Sequence, residues 1–231
     1  MNCLPNFFKP CINYVRAIFL FLFVLYFTHS GAQTYPEQIR EYLNLIPESR
    51  VVINYPDESA FIKEKRTRII LFALPNGNTI EQTAGKILNP GEDWHFDIQH
   101  ISAQNRFLRQ NDKSRNYIVV YLEASMKAWT SYAAKHPDSF KLFPKLVDTI
   151  QYIIENLANG KAPIKEQDII LSSHSGGGRF LFNYISGVEK IPVNIEKIAF
   201  LDSVYGFEDS LHTHLSLIHI SQGIVRCRCR R

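Results

Sequence analysis

One stretch restricts the fold of this chain more than any other: Asp168-Ile-Ile-Leu-Ser-Ser-His-Ser175-Gly-Gly-Gly-Arg-Phe-Leu-Phe-Asn-Tyr-Ile185. The short apolar run Ile169 to Leu171 reads as a fully buried strand. Three glycines, Gly176 to Gly178, follow, and then Phe180, Leu181, Tyr184 and Ile185 recur at helical spacing. Strand, sharp turn and helix therefore meet within a few residues, with Ser175 at the turn. A serine there points its hydroxyl out of the sheet, where a helix N-terminus stabilises developing negative charge. The backbone N–H of Gly176 is a candidate oxyanion donor. Ser173 and Gly177, two residues either side of Ser175, are small enough for a tight turn. A phosphate-binding loop is the competing reading, but no Lys-Ser/Thr pair follows the glycines as that loop requires.

At these residues the chain resembles the α/β-hydrolase superfamily. Ser173-His-Ser175-Gly-Gly177 stands in place of Gly-x-Ser-x-Gly, with serine for the first glycine as a departure. The resemblance implies an α/β fold: a doubly wound, mostly parallel sheet of the α/β-hydrolase type. It also implies a nucleophile elbow at Ser175 and an acyl-enzyme intermediate on that serine.

Both ends of the chain read differently from its middle. Lys9 and Arg16 precede an apolar run from Ala17 to Phe27, and Ser30-Gly31-Ala32 supplies small residues for cleavage. Residues 1–32 are thus expected to be a secretory signal peptide. The run falls short of the roughly 20 residues a spanning helix needs. A secreted or periplasmic protein follows, with no stable membrane association after cleavage. At the other end, Leu215-Ser-Leu-Ile-His-Ile220 is what a transposase-derived sequencing adapter would encode in frame. The Arg/Cys alternation over 226–231 resembles no packed element. Residues 215–231 are therefore expected to be a non-native tail, and 33–214 a partial hydrolase domain, incomplete at its C-terminal end.

This division changes the meaning of the composition. The formal net charge is +4, an excess that Arg226, Arg228, Arg230 and Arg231 match by themselves. The basic balance is no argument for nucleic-acid binding, and no nucleic-acid partner is expected. The four cysteines are Cys3, Cys11, Cys227 and Cys229, so the domain between has no disulfide and no thiol chemistry.

Along the chain, Tyr35 to Pro47 carries Ile39, Tyr42, Leu43 and Ile46 at helical spacing and predicts a short amphipathic helix. Val51–Tyr55 predicts a strand, and Ile69–Leu74 one apolar on both faces, as in the centre of a parallel sheet. Pro75-Asn-Gly-Asn-Thr79 ends that strand. In the hydrolase reading it supplies the second oxyanion N–H, from Asn76 or Gly77, although the family often carries His-Gly there. An ordinary strand-end turn is the alternative. Thr79 to Ile87 predicts a short helix broken by Asn89-Pro90-Gly91. His95 and His100 are five apart and share no helix face, so no metal site is expected. Trp94 and His95 are candidate substrate contacts, with surface or packing roles as the alternative. Tyr117–Leu122 predicts another buried strand. Trp129 and Tyr132 beyond it are candidate pocket residues, with aromatic packing the competing role. Leu142 to Leu157 predicts a long amphipathic helix closed by Asn159-Gly160, and Ile195–Leu201 a further strand ended by Asp202.

A serine needs a base, and the base a carboxylate to orient it. The family order of Ser, then acid, then His makes Asp202 the candidate acid, with Asp209 a weaker one. His212, His214 and His219 come too soon after it, and His174 sits inside the turn, aimed away from the hydroxyl. The catalytic histidine is expected beyond the supplied sequence, leaving this fragment inactive. No cofactor and no metal are expected, and the resemblance implies a small-molecule or polymer ester as substrate. A hydrolase-like binding domain without catalysis, and an acyltransferase on the same scaffold, are the alternatives.

Overall fold

The computed structural model describes residues 35–157 and 166–203, together with the backbone of a short strand at 225–227. The elements below belong to the unit Pro36–Arg231. The expected signal peptide, the Asn159-Gly160 helix stop, Asp209, His212, His214 and His219 lie outside the described residues.

In chain order the elements are β1 (Glu37–Leu43), β2 (Ser49–Pro56), β3 (Arg66–Ala73), α1 (Ile80–Ala84), a 3₁₀ turn (Trp94–Asp97), α2 (Ile101–Asn111), β4 (Arg115–Ala124), α3 (Trp129–Lys135) and α4 (Ser139–Glu155). After them come β5 (Gln167–His174), a 3₁₀ turn (Ser175–Gly177), α5 (Gly178–Gly187), β6 (Ile195–Leu201) and β7 (Val225–Cys227). Among the described residues seven strands form one sheet in the order β1-β2-β4-β3-β5-β6-β7. β2 runs antiparallel to both β1 and β4, and every pairing from β4 across to β7 is parallel. The expected central strand is β3, flanked by β4 and β5.

Strand alternation builds a core on each face. Val51, Ile53, Ile69, Leu71, Ile118, Val120, Ile169 and Leu171 point to one side, where Trp129, Phe143, Leu146, Ile150 and Phe180 of α3, α4 and α5 cover them. Val52, Phe72, Val119 and Tyr121 point to the other, against Ile80 of α1 and Ile101 of α2. Helices on both faces explain why β3 and β4 read as unbroken apolar runs rather than alternating ones.

The N-terminal segment corrects an expectation. Tyr35 to Pro47 is not a helix; Glu37–Leu43 forms the edge strand β1, paired from Glu37↔Pro56 to Leu43↔Arg50. A helix of that length is marginal without a face to bury, whereas β2 lies one short loop away. Asn44 and Glu48 turn the chain there at positive φ, and Asn44 Oδ1 accepts the Glu48 N–H at 3.1 Å. Ile39 and Leu43, assigned to a buried helix face, are 64% and 65% exposed. At the other edge, residues 225–227 pair with Ala199–Leu201. The sequence pattern assigned Arg226–Arg231 no packed element, yet Arg226 and Cys227 pair in β7 with the backbone groups that the β6 edge offers.

Local signals set the shorter elements. Thr79 caps α1 by accepting the Gln82 N–H at 3.2 Å, and Gln82 Oε1 accepts the Thr79 N–H at 2.8 Å. Gly85, at φ +84°, leaves the helical region and so ends the helix earlier than the predicted Ile87; glycine is required there also because a Cβ would fall 2.7 Å from the His100 ring.

Arg50 ties three segments together, pairing with Glu41 of β1 and Glu81 of α1 at 2.5 and 2.6 Å and approaching Glu123 of β4 at 3.6 Å. The Arg50 hydrogen bond holds the Glu81 carboxyl down at about 2. A lowered folded-state value means that this stabilisation is present above about pH 4.5 and is lost as pH falls toward 2. Glu81 is half exposed, so the term is that of a screened surface pair, about 0.2–1 kcal/mol. Urea midpoints at pH 6 and pH 3 check it: the gap between wild type and Glu81→Gln should narrow at the lower pH. An unchanged gap would show that the pair contributes nothing.

Candidate functional site

The parallel strands β4, β3, β5 and β6 end on one rim. The connection after β3 runs over one face, through α1 and α2, to β4; the connection after β5 runs over the other, through α5, to β6. The neighbouring strands β3 and β5 therefore send their chains in opposite directions. In an open α/β sheet that divergence leaves a crevice at the carboxyl ends, where ligands bind. The loop Pro75–Thr79 and the turn at Ser175 are the two segments that flank it.

Ser175 occupies the left-handed region at φ +49°. A non-glycine residue there costs about 1–3 kcal/mol and persists only when its surroundings impose it. The three glycines supply that constraint through close contact. A Cβ on Gly176 would fall 2.1 Å from Asn76 Oδ1; one on Gly177 would fall 2.2 Å from the Ala73 carbonyl oxygen; one on Gly178 would meet Ser203 Cβ at 2.7 Å. The turn is thus pressed onto the ends of β3 and β6, with Ser175 half-buried at its start. Ser173, the departure from glycine, is fully buried and uses its hydroxyl. Ser203 Oγ donates to the Leu201 carbonyl at 3.0 Å, which leaves Ser173 Oγ to donate to Ser203 Oγ at 3.2 Å.

The two expected oxyanion positions after β3 separate. The Gly77 N–H, at φ +85°, donates to the Lys127 carbonyl at 2.7 Å and so is committed to the loop after β4. Gly77 shapes the loop rather than offering a donor. Asn76 stands against Gly176, and its side chain reaches Thr130 Oγ1 at 3.4 Å. Asn76 and Gly176 are therefore brought together at the crevice.

Asp202 follows Leu201, the residue paired with His174, so Ser175 and Asp202 leave adjacent strands at the same level. Asp202 is exposed and also at positive φ, +47°. The His174 ring is half buried, with Nδ1 2.9 Å from Gln99 Nε2. Burial pushes the His174 imidazole below its ordinary value, opposed by the negative charge of Asp202. The other described histidines are held elsewhere: His95 by Asp93, His100 by Asp97 and His136 by Glu48, at 2.5, 2.6 and 2.9 Å.

Of the expected substrate contacts, Trp94 is 65% exposed and stacks on His95 with ring centroids 4.0 Å apart. Asp93 fixes this pair by accepting the His95 N–H at 3.0 Å and is itself held by Gln82 Nε2 at 2.7 Å. Trp129 is a correction. It is 1% exposed, its Nε1 donates to the Leu122 carbonyl at 3.3 Å, and its ring packs edge-on against Phe143 and Phe180. It is a core residue beneath the rim, as is Tyr132. Gln99 and Asn78, which sequence reasoning passed over, stand at the site: Asn78 Nδ2 donates to Gln99 Oε1 at 3.4 Å. Among the described residues no group of three His, Cys, Asp or Glu side chains is arranged to hold a metal ion. No described helix is long and apolar enough to cross a membrane.

No family model matches the sequence, and no curated protein does. Solved structures similar to this one include a thermostable esterase, 14% identical, with a TM-score of 0.47 over 82% of this chain and 45% of that one. An esterase from Rhizomucor miehei is 8% identical, with a TM-score of 0.42 over 93% and 58%. A siderophore hydrolase from Aspergillus fumigatus is 12% identical, with a TM-score of 0.40 over 74% and 43%. The chain spans about half the length of these structures. The strand order, the antiparallel β2 beside a parallel sheet, and the strand-to-helix turn at Ser175 make this an α/β-hydrolase-type fold.

Proposed function

We propose that this chain is the nucleophile-bearing part of a serine hydrolase acting on carboxylic esters. The observation that carries the reading is Ser175 at φ +49° on a glycine-packed turn at the sheet's divergence point. In this reading Ser175 Oγ attacks the ester carbonyl carbon and loses its proton to a histidine. The carbonyl oxygen gains negative charge, which the backbone N–H groups of Gly176 and Asn76 stabilise. Collapse of the tetrahedral intermediate releases the alcohol, which takes that proton, and leaves an acyl group on Ser175. Water then attacks the acyl carbon, frees the acid and restores the serine. Asp202, one strand over, orients the histidine and stabilises its charged form. No described histidine is assigned that part. In this reading residues 1–32 are an export signal, and the enzyme meets small-molecule or polymer esters in the periplasm or outside the cell.

A fluorophosphonate probe tests the nucleophile. Wild type, extended by whatever native sequence follows residue 214, should label, and Ser175→Ala should not. A folded wild type that stays unlabelled would favour the non-catalytic binding domain.

A further inference from the structure

Three segments of the rim meet at one carboxamide. Asn78 belongs to the loop after β3 and is buried, and its Nδ2 donates to Gln99 Oε1 at 3.4 Å. Gln99 Nε2 faces His174 Nδ1 at 2.9 Å, across 75 residues of sequence. Gln104 Nε2 donates to the Gln99 carbonyl at 2.7 Å and steadies its backbone. The segment that delivers Gln99 folds back on its own start: the Lys86 N–H donates to the Phe96 carbonyl at 3.3 Å, and Lys86 Nζ meets Glu92 Oε1 at 2.7 Å.

The Asn78 and Gln99 amides, as they are turned here, set the polarity of this chain. With Asn78 Nδ2 donating into Oε1, the Gln99 amide presents its N–H to the ring. In that arrangement His174 Nδ1 accepts, and the neutral ring carries its proton on Nε2. Protonating Nδ1 would set donor against donor. The burial that disfavours the charged imidazole acts in the same direction, and the opposing charge is Asp202 at the end of β6.

We propose that Gln99 is a positioning residue for Ser175: its carboxamide locks the loop carrying Asn76 to the turn carrying Ser175 and Gly176. The proposal rests on the hydrolase reading for its consequence, since those are the two segments whose spacing sets the oxyanion site. Displacing one against the other removes donor alignment, an effect of roughly 10- to 100-fold on rate.

The test uses the same extended chain as the labelling experiment, with isotope-labelled histidine, His174 being assigned by its loss in His174→Gln. Wild type should show the Nε2–H tautomer at neutral pH. Gln99→Met should lose that preference and react with a fluorophosphonate roughly 10- to 100-fold more slowly, without a matching fall in thermal midpoint. Gln99→Glu keeps the shape and should raise the His174 titration by about one pH unit through its charge. An Nδ1–H tautomer in wild type, no rise in Gln99→Glu, or labelling of Gln99→Met within twofold of wild type would overturn the proposal. A wild type that shows the expected tautomer but never labels would instead overturn the nucleophile reading.

Discussion

Replacing Trp129 by alanine is expected to destabilise the protein by about 3–5 kcal/mol. The side chain is 1% exposed and stands at the junction of α3, α4 and α5, within 5.3 Å of the Phe143 ring and 5.0 Å of the Phe180 ring. Truncation removes its transfer free energy and leaves a cavity whose walls come from three helices and β4, too many elements to collapse together. The Leu122 carbonyl also loses the indole N–H. Trp94 provides the control. It is 65% exposed, so Trp94→Ala should cost less than about 1 kcal/mol. Urea unfolding of the two variants checks both. A Trp129 cost no larger than that of Trp94 would mean that the ring lines an open pocket after all.

Gly177→Ala should cost about 3 kcal/mol, the upper end of the overpacking range. Its own backbone is not the reason, since Gly177 has φ −61° and ψ −20°, which alanine adopts freely. The obstacle is the new methyl group, 2.2 Å from the Ala73 carbonyl oxygen and 2.8 Å from that of Leu74. Both obstacles are main chain at the end of the central strand and have no rotamer to change. Relief requires moving the turn away from β3, which carries Ser175 away from Asn76. Fluorophosphonate labelling should therefore fall together with the thermal midpoint. Gly91→Ala separates the two kinds of glycine effect: at φ +89° with open space around it, it should lose only about 1–2 kcal/mol to backbone strain. Equal costs at the two positions would show that the turn is not pressed against β3.

The parts of this fold that could be read in advance were those where one local pattern suffices. β3 and β4 are covered on both faces, so their apolar runs are continuous and unmistakable. Ser175 was legible because a strained turn demands glycines in sequence next to it. Tyr35–Pro47 misled because the same four apolar residues satisfy a helix period, and only the proximity of β2 decides for a strand. Trp129 was ambiguous because an aromatic residue at a strand's carboxyl end serves equally in a pocket or beneath it. Gly77 and Gln99 were beyond reach for a different reason. The role of each is set by a partner far along the chain, Lys127 in one case and His174 in the other. No spacing rule encodes such pairs.

The placement of β3 also bears on synthesis at the ribosome. Ile69, at its centre, pairs with Ile118 on one side and Ile169 on the other. At about 5–20 residues per second, the second of these partners emerges roughly 5–20 s after Ile69 does. Throughout that interval the central strand, with its Ile69–Ala73 apolar run, has a bare edge, a segment of the kind that seeds intermolecular pairing. The hairpin of β1 and β2, complete within 20 residues of sequence, offers no shelter, because β2 pairs with β4 rather than with β3. Yield of soluble protein should therefore depend more on elongation rate and chaperone supply than on the stability of the finished fold.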